Sequence, residues 1–95
     1  MGTIKNFEDL VIWQMAREIV KLLYSDFRSC KDFGFRDQIS RAGVSVGSIG
    51  EVKNMYYIAE DLNYITNEEA LKRRDKSQQL INSISKFIQY LKSSK

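Results

Sequence analysis

Apolar residues recur at Ile12, Ala16, Ile19, Val20, Leu23 and Phe27, with Arg17, Glu18, Lys21 and Asp26 between them. Steps of three and four put the first set on one side of a helix and the charged set on the other. The pattern predicts an amphipathic helix over residues 7–29. Asn6 is a good N-cap for it, and Glu8 and Asp9 place negative charge at the positive end of the helix dipole. Residues 31–34 make the following turn, where Gly34 is free to take a positive φ.

A second helix is expected from Phe35, but residues 35–50 (FRDQISRAGVSVGSIG) make a peculiar one. Glycine and serine each disfavour an isolated helix by up to about 1 kcal/mol relative to alanine. A helix that tolerates so many is held by close packing, where small residues let backbones approach. A third apolar pattern follows at Val52, Met55, Tyr56, Ala59 and Leu62. Gly47 and Gly50 are the only punctuation between these patterns. Either one long helix passes through, or a sharp turn falls at residues 48–51. Asn63 and Tyr64 end the region, since asparagine tolerates the left-handed conformation. Thr66-Asn67-Glu68-Glu69 fits a capping box, with Thr66 as N-cap and Glu69 at the third helical position. The last helix then runs to about Lys92, with Leu71, Ser77, Leu80, Ile81, Ile84, Phe87, Ile88 and Leu91 on its apolar side. No strand-like alternation, internal repeat or low-complexity segment interrupts this reading. The fold class is all-α.

Composition narrows the function more than the fold. The chain has 95 residues, enough for one domain with a single core, and small enough to gain from oligomerisation. It is 43 % apolar and 28 % charged, the balance of a soluble globular protein. No apolar run approaches the roughly 20 residues that span a bilayer. The N-terminus lacks the apolar stretch of a signal peptide, and Asn6 stands where a myristoylation motif has serine or threonine. The single cysteine, Cys30, allows no internal disulfide, so a reducing cytoplasm is the expected location. There is no proline, and nothing in the chain forces a long helix to break. There is also no histidine, which removes the commonest general base and metal ligand together with any Cys–His nucleophile or Cys/His zinc site. No nucleophile–base pair, metal cluster or phosphate-cradling loop is found, so neither an enzyme nor a cofactor is expected. The formal charge of +3 permits a nucleic-acid partner without arguing for one.

Three blocks, taken together and in order, carry a resemblance: FEDLVIWQMAREIVKLLY (7–24), QISRAGVSVGSIG (38–50) and EVKNMYYIAEDLNYITNEE (51–69). They are similar to the four-helix-bundle proteins encoded in intervening sequences of bacterial 23S ribosomal RNA genes. The first block resembles that family's opening Phe-x-Asp-Leu-x-x-Trp-Gln pattern, and the second its Gln-Ile-x-Arg-Ala-x-Val-Ser segment. In the family the second block leads into a turn and the first half of helix three. Here Gly50 joins Glu51 directly, an apparent gap of roughly 25 residues, about twice a mean α-helix. A shortened chain with helices two and three merged into one, giving three long helices, is one outcome. A segment of the molecule absent from this sequence is a second, and a short natural loop at residues 48–51 is a third. The resemblance implies a cytoplasmic, up-and-down helical bundle that forms homo-oligomeric rings, pentamers among them. It also implies a relation to accessory proteins of diversity-generating retroelements, which bind nucleic acid and a reverse transcriptase.

The candidate contacts to RNA or DNA phosphates are Arg36, Arg41, Lys72, Arg73, Arg74 and Lys76. Arg36 and Arg41 lie five apart, about 140° round a helix, so they need not share a face. Pairing of Arg36 with Asp32, and of Arg41 with Asp37, is the competing structural use. The run 72–76 fans around most of a helix, and a solvated face is the competing use there. In a five-membered ring the charge would reach about +15, a substantial field. Trp13, Tyr56, Tyr57, Tyr64 and Tyr90 are candidates for stacking on bases. Trp13 and Tyr56 fall in apolar stripes and are expected in the core or an interface, while Tyr57 is expected exposed. Glu60 and Asp61 point about 100° apart on a helix and cannot act as a catalytic pair. Glu68 and Glu69 are explained by capping, and Cys30 as structural. The expected function is therefore a non-enzymatic, self-associating bundle that binds nucleic acid. The alternative is an assembly module that recruits a protein partner without touching nucleic acid.

Overall fold

The computed structural model describes residues 7–93, so Asn6 and the other N-terminal features lie outside the described residues. Four α-helices follow one another: α1 (Phe7–Phe27), α2 (Phe33–Gly43), α3 (Ile49–Asp61) and α4 (Asn67–Ser93). Successive helices run antiparallel. Phe27 of α1 meets Phe35 of α2, and Phe35 in turn meets Tyr64 just beyond α3. Ser83 of α4 approaches Met15 while Arg73 reaches Asp26, so α4 returns along α1 and closes the ring. The fold is thus an all-α, up-and-down four-helix bundle.

Helices two and three are not merged. The chain leaves α2 at Gly43, turns through Val44 and Ser45, makes a 3₁₀ turn over Val46–Ser48 and enters α3. Small residues therefore build the corner, not a helix through residue 50, and the break begins four residues ahead of the expected one. Val44 stays right-handed at φ −85°, with Ser45 N–H donating to the Ala42 carbonyl and Ser48 N–H to that of Ser45. The helix stops by tightening into 3₁₀ geometry, without a left-handed glycine. One glycine of the stretch does serve close packing. A Cβ on Gly43 would stand 2.3 Å from Leu23 Cδ2 and 3.4 Å from its Cγ, so this glycine is what lets α2 approach α1.

The other helix ends follow local rules. Asp32 caps α2, its Oδ1 accepting from Phe35 N–H at 3.1 Å. α3 ends in a Schellman motif: Asn63 is left-handed at φ 60°, Tyr64 N–H donates to the Ala59 carbonyl and Asn63 N–H to that of Glu60. Thr66 caps α4, its hydroxyl oxygen accepting from Glu69 N–H at 3.1 Å.

The core is an apolar cluster of Ile19, Leu23 and Phe27 from α1, Phe35, Ile39 and Ala42 from α2, Ile49, Val52, Met55, Tyr56 and Ala59 from α3, and Leu80 from α4. It occupies the half of the molecule where all four helices are present. α2 and α3 have 11 and 13 residues, against 21 and 27 for α1 and α4. The long pair therefore projects beyond the short pair as a two-helix arm, which makes the molecule 48 Å long. In the arm, Ile12, Met15, Ala16, Ile81 and Ile84 are only half-buried. Trp13, expected in core or interface, is 47 % exposed within this chain, and Leu71 of the apolar stripe is also exposed.

Candidate nucleic-acid interface

The basic run of α4 is turned largely inward. Arg73 grips Asp26 of α1 with two hydrogen bonds, Nε to Oδ2 at 2.8 Å and Nη2 to Oδ1 at 3.1 Å, and reaches Glu69 Oε2 at 3.1 Å. The two charged side chains are only 14 % and 11 % exposed. Tyr56 of α3 donates its hydroxyl to the same Asp26 Oδ2 at 2.7 Å. Burial first, and then the Asp26 carboxylate, push the Tyr56 phenol far above its ordinary pKa. Donating to Asp26 raises the Arg73 pKa, holding the guanidinium charged. Asp26, expected on the outer face of α1, is thus the point where α1, α3 and α4 meet.

The remaining members of the run are paired too. Arg74 forms an ion pair with Glu60 of α3, and its guanidinium lies 4.0 Å from the Tyr57 ring centre. Lys76 pairs with Glu18 of α1, whose pKa is lowered first by that hydrogen bond. Lys72, exposed, lies 3.5 Å from Glu69 within its own helix. Tyr57 is exposed as expected and Tyr56 is buried, so Tyr56 offers no stacking surface.

The arginines of α2 behave differently. Neither expected pairing forms among the described residues. Asp32 is already occupied, capping α2 with one oxygen and accepting the Tyr64 hydroxyl at 2.6 Å with the other. The Tyr64 hydrogen bond first, and the Phe35 N–H second, hold its pKa below the usual carboxylate range, and Asp32 in return raises that of Tyr64. Arg36 instead lies 4.8 Å over the Phe33 ring. Arg41 is exposed, and no described acid pairs with it or with Arg36.

α2 separates these two side chains, as their 140° offset requires. Arg36 lines an open groove of about 510 Å³ against α1, with Leu23, Tyr24, Phe27, Arg28, Asp37 and Ser40. Arg41 lines another, of about 460 Å³, with Gly34, Gln38, Ala42, Ser48 and Glu51. Tyr24 and Arg28 escape a reading that follows apolar stripes. Their signal is the i, i+4 spacing that sets an aromatic and a cation together at the polar end of α1.

Among the described residues no three His, Cys, Asp or Glu side chains are grouped to hold a metal, and no helix is long and apolar enough to cross a membrane. Cys30 is half-buried, its thiol 3.9 Å from the Asp32 carbonyl. Comparison with known proteins found no family model, no curated protein and no solved structure that matches this chain.

Proposed function

We propose that this chain is a non-enzymatic, oligomeric, cytoplasmic bundle, related to the intervening-sequence proteins, that binds RNA or DNA phosphates through basic helix surfaces. What supports the reading is the division of its cations. Lys72, Arg73, Arg74 and Lys76 each have an acidic partner within the chain, while Arg36, Arg41 and Arg28 have none among the described residues. Unpaired guanidinium groups keep their donors for phosphate oxygens, and phosphate contacts carry no sequence preference. The interface therefore centres on α2 and the end of α1.

Fluorescence anisotropy with labelled RNA and DNA at two salt concentrations tests this. Affinity is expected to fall steeply with salt, and Arg36→Ala and Arg41→Ala each to lower the logarithmic salt slope by about 0.7–0.9. Affinities weaker than about millimolar for both nucleic acids at low salt defeat the reading.

The second reading, an assembly module, is favoured by the arm. Trp13 and Ile88 are large, apolar and exposed on the parts of α1 and α4 that project beyond α2 and α3. Light scattering on the wild type and on Trp13→Glu and Ile88→Glu decides whether this face joins copies of the chain. Recovery of a protein partner but no nucleic acid after nuclease treatment favours recruitment instead.

A further inference from the structure

We infer that the groove between α1 and α2 receives a single unstacked nucleotide of a single-stranded nucleic acid, with Tyr24 against its base and Arg28 and Arg36 on its phosphate. This inference rests on the nucleic-acid reading and specifies where and in what form the ligand is held.

The groove has two walls. Tyr24 in the last turn of α1 and Arg28 just past its end are four residues apart and both exposed, with half of the tyrosine surface open to solvent. On α2, Arg36 and Ser40 are one turn apart, with Asp37 beside them. The floor is apolar and fixed, because Leu23 and Phe27 belong to the buried core. A volume of about 510 Å³ lies within the range of small-ligand sites and suits one nucleotide. The Arg36 guanidinium lies 4.8 Å over the Phe33 ring, a contact that uses none of its hydrogen-bond donors. No described acid pairs with Arg28 or Arg36. Asp37 is an acceptor suited to an exocyclic amine or a ribose hydroxyl, and Ser40 can donate or accept.

This combination discriminates among anions. A bare phosphate has no use for the tyrosine, and an acidic protein segment has none for an aromatic face beside an acceptor. A duplex keeps its bases stacked inward, out of reach of a side chain at the lip of a groove between helices. A single strand can turn one base out onto an aromatic ring.

Anisotropy titrations of a labelled single-stranded oligonucleotide and of the matching duplex at low salt provide the test. The panel is wild type, Tyr24→Ala, Arg28→Ala and, as a control outside the groove, Lys92→Ala. Tyr24→Ala is expected to weaken single-strand binding roughly 5- to 100-fold with little change for the duplex. Arg28→Ala is expected to lower the single-strand salt slope by about 0.7. Lys92→Ala is expected to change neither by more than about twofold. Circular dichroism verifies that the variants are folded, since neither groove side chain belongs to the core. If wild type binds single strands and Tyr24→Ala binds them equally well, the groove assignment is overturned and the broader reading survives. If wild type binds no nucleic acid, both fall. Displacement of the oligonucleotide from wild type by poly-glutamate at equal charge concentration also overturns the groove assignment.

Discussion

Three side-chain hydrogen bonds converge on Asp26. It accepts from Arg73 and from the Tyr56 hydroxyl in a nearly closed site, so its removal leaves the buried phenol without its acceptor and the guanidinium with Glu69 alone. Breaking such a pair by deleting one partner costs about 3–5 kcal/mol, whereas an exposed pair contributes about 0–1. Asp26→Ala is therefore expected to lose about 3 kcal/mol in urea unfolding, and Glu18→Ala, whose partner is the exposed Lys76, less than about 1. Tyr56 carries a pH consequence. Its folded pKa lies above the unfolded value near 10, so its contribution is fully present below pH 10 and lost as the pH rises beyond it. The wild type should lose about 1.4 kcal/mol per pH unit from this group above pH 10. Tyr56→Phe should lack that component, although it gives up about 1 kcal/mol of hydrogen bonding at neutral pH. None of these partnerships was legible beforehand. Arg73 and Asp26 are 47 positions apart, and only the antiparallel return of α4 along α1 brings them together.

Among the elements, the sequence was most legible where a helix carries its own signals. Residues 7–29 were expected for α1, which spans Phe7–Phe27, and Thr66 and Asn63 mark the α3–α4 corner as their types require. The α2–α3 corner was displaced because glycine was taken as the punctuation. The chain instead turns at Val44 and Ser45, beside a glycine buried by packing, and the two later glycines are exposed. Gly43 and Gly50 should respond oppositely to alanine. At Gly43 the new methyl meets Leu23, itself locked in the core, and a loss of about 1–3 kcal/mol is expected from overpacking. At Gly50, in the first turn of α3, a Cβ meets nothing within 4 Å, so the higher helix propensity of alanine should add about 0.5–1 kcal/mol. Thermal or denaturant melts of the two variants check both signs. The candidate site was half legible for a related reason. Arg36 and Arg41 announce themselves by charge, but which cations are already paired depends on helices that meet only in the folded molecule.

For the whole molecule, the inequality of helix lengths divides stability. The fully buried core ends near Ile19 on α1 and Leu80 on α4, and beyond it two helices carry half-buried apolar residues. Amide hydrogen exchange should be slowest around Leu23, Ile39, Val52 and Leu80, and at least about 100-fold faster over residues 87–93. Protection of that last segment that grows with protein concentration would identify the arm as the self-association surface. The bond from Tyr64 to Asp32 also works at this scale. It closes a circuit of 32 positions containing α2, the corner and α3, and the same carboxylate caps α2. The two short helices thus share one latch. Because the Asp32 pKa is lowered in the fold, the latch is shut above the ordinary carboxylate range and opens as the pH falls through its folded value. One proton then weakens both ties together, the cap at the start of α2 and the hold on the chain just past α3, while the buried contacts of Ile39 and Val52 keep the two helices in place. Asp32→Ala and Tyr64→Phe should accordingly be non-additive in a double-mutant cycle. The two ends of the α2–α3 segment thus answer to the same proton.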